Sequence, residues 1–163
     1  MIAMRRPGAE QECKLINQLS GTDKLYRLSG ECHCGNIKLG ITLSMPPSSF
    51  QMRACDCDFC RKHGASFISD VHGSLLITTK DASQLGKYQQ GSSAADFLFC
   101  KKCGVFVAVT FESGGHLYSA VNCKTVNENV IFGDVITVSP KLLSVSEKAD
   151  RWKNNWFCDV TIQ

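Results

Sequence analysis

Ala95-Asp96-Phe97-Leu98-Phe99 and Val105-Phe106-Val107-Ala108-Val109-Thr110-Phe111 flank the sequence Cys100-Lys101-Lys102-Cys103-Gly104. The flanks are rich in Val, Phe and Thr and have strand length, so they read as two β-strands. The segment between them is a Cys-X-X-Cys turn closed by glycine. A two-residue gap lets both sulfurs face one ion, and glycine permits the tight curvature that follows. This unit, two short strands joined by a zinc knuckle, sets the pattern from which the fold class is read.

Working outward, the same strand-and-turn alternation continues. Candidate strands are 25–28, 36–43, 50–53, 75–79, 95–99, 105–111, 117–121 and 131–138. Turn-forming sequences separate them, among them Met45-Pro46-Pro47-Ser48-Ser49, Gly91-Ser92-Ser93 and Ser113-Gly114-Gly115. Helical periodicity is weak. One helical turn is expected at 58–62, and another helix is expected to start near Ser144. The chain therefore reads as mainly β with few short helices. Residues 1–24 are expected to form an N-terminal arm. Residues 25–163 are expected to form one zinc-binding β domain, with an aromatic C-terminal tail packed back on it. In that tail Trp152 and Trp156 are assigned to core packing; the competing role is to line a substrate cleft.

Size and charge exclude several classes. A chain of 163 residues with 44% hydrophobic and 20% charged residues can bury a core without metal or disulfide support. Its formal net charge is +3, the signs are interspersed, and no run of five basic residues occurs, which argues against a nucleic-acid partner. No apolar run approaches the roughly 18 residues that a membrane span needs. Met1–Glu12 lacks the apolar run of a secretory leader, so a cytoplasmic, reducing setting is expected.

In that setting the ten cysteines need a reason other than disulfides. Cys13, Cys123 and Cys158 stand singly and can be small buried hydrophobes. The other seven fall at ligand spacings. Cys100 and Cys103 supply two of the four ligands that a structural zinc needs. Cys32 and Cys34, in Gly30-Glu31-Cys32-His33-Cys34-Gly35, are the best second pair. If extended, residues two apart share a face, which sends His33 the other way. The predicted structural site is Cys32, Cys34, Cys100 and Cys103.

Cys55, Cys57 and Cys60, in Cys-X-Cys-X-X-Cys, make an odd set of three. Three thiolates leave one tetrahedral position for a substrate or water, the mark of catalytic zinc. Two other readings stay open. A distant His63, His72, His116 or Cys123 can close the site, or Cys57 and Cys60 can act as a redox dithiol. Around this cluster, Arg61 and Lys62 are candidate partners for a substrate carboxylate. Asp56 and Asp58 are candidates for hydrogen bonding to the ligands, and His63 for moving a proton. For each of these the competing role is an ordinary solvated or structural side chain. Lys101 and Lys102 are expected to be solvated.

The three cysteine clusters, in this order and spacing, resemble the glutathione-dependent formaldehyde-activating enzyme family, which includes centromere protein V. The stretches that carry the likeness are 30–37, 55–65 and 99–104, with Val121-Asn122 after a strand. The resemblance implies coiled β-sheets in a β-tent arrangement and two zinc ions. One is structural, on Cys32, Cys34, Cys100 and Cys103. The other is catalytic, on Cys55, Cys57 and Cys60. The implied activity is that of a carbon–sulfur lyase, which joins glutathione and formaldehyde to S-hydroxymethylglutathione or cleaves that adduct. A small thiol such as glutathione is then the expected partner, and no cofactor besides zinc is expected. The alternatives are a non-catalytic, zinc-stabilised binding module and a metal or thiol sensor.

Overall fold

The structure, a computed structural model, describes residues 24–127 and 129–163. The expected arm lies almost wholly outside these residues. Eleven strands are present among them: β1 (Tyr26–Glu31), β2 (Ile37–Leu43), β3 (Met52–Cys55), β4 (Ser66–Ile68), β5 (Ser74–Thr79), β6 (Leu85–Tyr88), β7 (Asp96–Cys100), β8 (Phe106–Ser113), β9 (His116–Asn122), β10 (Val135–Val138) and β11 (Asp159–Ile162). Two α-helices join them, α1 (Asp58–His63) and α2 (Val145–Asn155). The fold is mainly β, as expected from the sequence.

The strands form two sheets, a four-stranded one in the order β1-β2-β5-β11 and a seven-stranded one in the order β10-β3-β4-β9-β8-β7-β6. Most neighbours run antiparallel; β10 on β3 and β11 on β5 run parallel. Side-chain alternation explains the layering. In β2, Ile37, Leu39, Ile41 and Leu43 are buried while Lys38 and Gly40 face out. They meet Leu75 and Ile77 of β5 and, from the larger sheet, Ile68, Leu98, Val107 and Val121. The first six residues of β8 are all buried, because the larger sheet is covered on both faces.

Its second face carries an aromatic core of Phe67, Phe97, Phe111, Tyr118, Trp152 and Trp156. Helix α2 forms that cover. It opens with a capping box in which the Glu147 amide donates to Ser144 Oγ at 3.3 Å and the Ser144 amide donates to Glu147 Oε2 at 2.7 Å. At its end Trp152 and Trp156 stack with ring centroids 5.0 Å apart. The layers are therefore small sheet, large sheet, helix.

Three strands escaped the sequence reading. β4 is three buried residues, too short to show alternation. β6 contains Gly86, whose missing side chain makes room for the Phe99 ring, 2.4 Å from where a Cβ would lie. β11 lies in the C-terminal tail, where no strand was expected. Conversely, 131–138 is strand only from Val135, and Ile131 is 82% exposed.

Candidate metal centres and their cavity

The first site is assembled from two hairpin tips, one in each sheet. Cys32 and Cys34 lie in the turn between β1 and β2; Cys100 ends β7 and Cys103 lies in the turn to β8. The sequence reading placed Cys32 and Cys34 in an extended strand. They sit in a turn instead, because the Gly35 amide folds back to the Cys32 carbonyl at 2.9 Å. The other tip repeats the device, with the Gly104 amide on the Cys100 carbonyl at 2.7 Å. Gly35 (φ 69°) and Gly104 (φ 77°) both take the left-handed conformation that glycine adopts without strain. The Cys32 and Cys100 amides donate to the carbonyls of Ile37 and Val105, each at 3.0 Å. The two tips thus share a left-handed glycine and a closing bond across five residues, but the glycine stands three residues after Cys32 and four after Cys100.

All four sulfurs lie within 4.8 Å of one another. Cys34 Sγ is 3.7 Å from Cys32 Sγ and 3.6 Å from Cys100 Sγ. A tetrahedral ion with sulfurs at roughly 2.3 Å has S···S edges of about 3.8 Å, so the set fits zinc. These separations are far longer than a disulfide of about 2.05 Å, and all seven clustered cysteines are free thiols. Cys32 and Cys100 are fully buried. Burial pushes the Cys100 thiol up to about 11. Burial also raises Cys103, but amide hydrogen bonds at Val105 and Cys34 outweigh it and hold that thiol at about 6.

The second site comes from six consecutive residues. Cys55 ends β3, Cys57 is the N-cap of α1, and Cys60 lies in its first turn, where its amide points at Cys57 Sγ from 3.5 Å. The three sulfurs also lie within 4.8 Å of one another. His63, His72, His116 and Cys123, the candidate closing ligands, are not part of this group. The Cys55 thiol is held down at about 6, chiefly by its hydrogen bond with Cys60. That same bond, together with burial, drives Cys60 upward, and burial raises Cys57. Three sulfurs this close cannot all ionise against one another, and a divalent cation among them relieves that repulsion. The donor set is soft thiolate, suited to zinc.

The two sites differ in what lies beside them. Cys55, Cys57 and Cys60 form part of the wall of a cavity of about 380 Å³, between the aromatic face of the large sheet and α2. None of the four sulfurs of the first site lines it. Trp152 and Trp156 do, while also belonging to the aromatic core, so the two roles weighed from sequence are combined. Gln90, from the loop before β7, points its amide at Cys57 Sγ from 3.7 Å.

Most of the predicted companions lie elsewhere. Arg61 and Lys62 are exposed and line no part of the cavity. They fall on the outer side of α1, whose inner side carries Cys60. His63 packs against Phe59, with ring centroids 4.5 Å apart and the planes tilted by 40°. Asp58 is exposed. Asp56 turns toward the segment after β10, accepting from Ser139 Oγ at 2.7 Å and pairing with Lys141 at 3.2 Å. Its carboxyl is held below the usual range chiefly by the Ser139 hydrogen bond. His33 is exposed, as are Lys101 and Lys102. The buried Asn122 donates to the Phe106 carbonyl at 2.9 Å and caps the turn at Cys123–Thr125.

Of the single cysteines, Cys13 lies outside the described residues and Cys123 is half-buried, its thiol raised to about 11 by burial. Cys158, read from the sequence as a lone packing thiol, is disulfide-bonded. Its single position gave no spacing cue to a partner.

The cationic wall of the cavity was missed from sequence. Arg53, Lys148 and Arg151 line it. Two signals were available. Arg53 is two residues before Cys55 on a strand and so shares its face. Lys148, Arg151 and Trp152 are spaced three and four apart on a helix and so share one stripe.

The described chain is a two-sheet β protein with two sets of free cysteines, each able to hold a metal ion, one of them opening on a cavity. It belongs to the glutathione-dependent formaldehyde-activating enzyme family, whose model matches residues 27–158. It is also similar to a Rhodobacter sphaeroides protein solved by crystallography as a structural-genomics target. The two are 30% identical, with a TM-score of 0.51, and the match covers 68% of this chain and 100% of that one.

Proposed function

We propose that this protein is a zinc-dependent carbon–sulfur lyase that makes or cleaves a small thiol–aldehyde adduct of the S-hydroxymethylglutathione type. In this reading Cys55, Cys57 and Cys60 are catalytic ligands, and Cys32, Cys34, Cys100 and Cys103 are structural ones. One observation carries it: the three-sulfur set opens on the cavity, whereas the four-sulfur set is tucked between two hairpin tips and lines none of it.

Cys55, Cys57 and Cys60 would hold a zinc ion, which would supply a Lewis acid for the substrate sulfur and favour its thiolate. The chain's own residues do the rest. Gln90 holds Cys57 from the cavity side. Trp152 and Trp156 give the cavity an apolar wall, beside which charge interactions are stronger than in bulk water. In the forward direction the thiol loses its proton, its sulfur bonds to the aldehyde carbon, and the former carbonyl oxygen takes a proton. The reverse step breaks the same C–S bond. Unhindered aldehydes react with thiols unaided, so these residues contribute chiefly by binding and orienting the adduct.

The test is zinc stoichiometry combined with glutathione titration, comparing the parent protein with Cys57→Ser. Two zinc ions per chain are expected to fall toward one, with the fold kept and thiol binding lost. Undiminished thiol binding by Cys57→Ser removes the proposed role.

A further inference from the structure

We propose that Arg53, Lys148 and Arg151 form an anion subsite beside the three-cysteine cluster, and that it selects the thiol substrate by its carboxylate. The proposal rests on the function put forward above and names the groups that give it specificity.

The argument begins with charge. The cavity lining includes four cations, Arg53, Lys141, Lys148 and Arg151, and no Asp, Glu or His among the described residues. Lys141 is neutralised by Asp56 at 3.2 Å. For Arg53, Lys148 and Arg151 no carboxylate lies within ion-pair distance among the described residues. Arg53, Lys148 and Arg151 line the same cavity, with the Trp152 and Trp156 rings in its wall. Grouping like charges against an aromatic wall is unfavourable unless an anion joins them.

The hydrogen bonds leave capacity for that anion. A guanidinium has five N–H donors in a planar fork suited to carboxylate. Arg53 spends one on Ser69 Oγ, whose hydroxyl donates in turn to the Asn155 carbonyl at 2.5 Å. This relay fixes Arg53 against the end of α2 and leaves its other donors for a ligand. The Arg151 and Lys148 side chains make no hydrogen bond to described residues.

Position completes the case. Arg53 precedes Cys55 by one strand repeat on the same face, so anion and sulfur are recognised side by side. With no acid in the described lining to receive an ammonium group, recognition falls on carboxylates.

Three matched probes test the subsite on the zinc-loaded protein, with binding read from the fluorescence of Trp152 and Trp156 and from calorimetry. Glutathione carries both thiol and carboxylates, S-methylglutathione keeps only the carboxylates, and glutathione dimethyl ester keeps only the thiol. Glutathione is expected to bind at least tenfold more tightly than either. Arg151→Gln is expected to weaken glutathione and S-methylglutathione at least tenfold while zinc content stays at the parent value. Lys148→Gln should act in the same direction more weakly, and as a change at a half-buried position of a capped helix it guards against misfolding as an explanation. The subsite is overturned if the dimethyl ester binds as tightly as glutathione, or if S-methylglutathione fails to bind or binds both proteins equally. If instead S-methylglutathione equals glutathione and still responds to Arg151→Gln, the subsite stands and the thiol chemistry at the three cysteines falls.

Discussion

Four sulfurs drawn from two hairpin tips and three drawn from six consecutive residues give sites of opposite character. The four-cysteine set joins residues 32–34 to residues 100–103, and so ties the small sheet to the large one. Its members lie in or against the main core. The three-cysteine set ties β3 to the start of α1, close neighbours already, and lies against the aromatic core and the cavity. A metal that closes a long loop removes much chain entropy; one that closes a six-residue loop removes little. The first arrangement suits holding a fold, and the second suits holding a guest.

The largest expected effect tests the structural half of this contrast. Cys103→Ser should compromise folding, since a structural zinc site contributes about 10–16 kcal/mol of apparent binding energy near neutral pH. Circular dichroism and thermal melting check it, and a variant that melts with the parent protein would erase the distinction. Next comes the wall of the cavity. Trp152→Ala removes a buried stacked ring and should cost about 3–5 kcal/mol, yet leave the four-cysteine zinc bound. Melting together with metal analysis separates the two outcomes.

Chelation sharpens the comparison without mutation. Graded chelator should remove zinc in two steps, the first sparing the fold and the second accompanied by unfolding, because three ligands hold less tightly than four. Simultaneous release and unfolding would contradict unequal sites. A smaller effect is expected of Gly104→Ala. An added Cβ would have nothing within 4 Å, so only the positive φ resists it, at about 1–2 kcal/mol. That loss should appear in melting, with the cavity's thiol affinity unchanged.

The smallest effect concerns the helix over the cavity. Hydrogen bonds to Ser144 hold the Glu147 carboxyl below the usual glutamate range. A depressed carboxyl contributes stability above its ordinary range and loses it as pH falls through the folded value. The melting gap between the parent protein and Glu147→Ala should therefore be widest near neutral pH and close on acidification. A gap that widened in acid would show that the cap does not act through the carboxylate.

How much could be read in advance differs between the two sites in the same way. The seven clustered cysteines were legible because their spacing is local, as were α1 and the start of α2, marked by the N-cap Ser144 and by Glu147 three residues on. Most strands were legible from their composition. β4 and β6 were not, since three buried residues carry no period and a glycine inside a strand reads as a break. Arg61 and Lys62 drew attention by adjacency to Cys60, yet a helix turns neighbours to different sides. Arg53 and Arg151 are nearly a hundred residues apart and attracted none.

Spacing alone determined that the chain is mainly β and that its cysteines divide into four and three, because both follow from strand period and ligand reach over a few residues. Only the tertiary structure decided which set faces a cavity, which cations stand beside it, and that two tail tryptophans wall it. Those are consequences of sheet order and of where α2 lands, and distances across a folded chain are set by packing, which no local window contains.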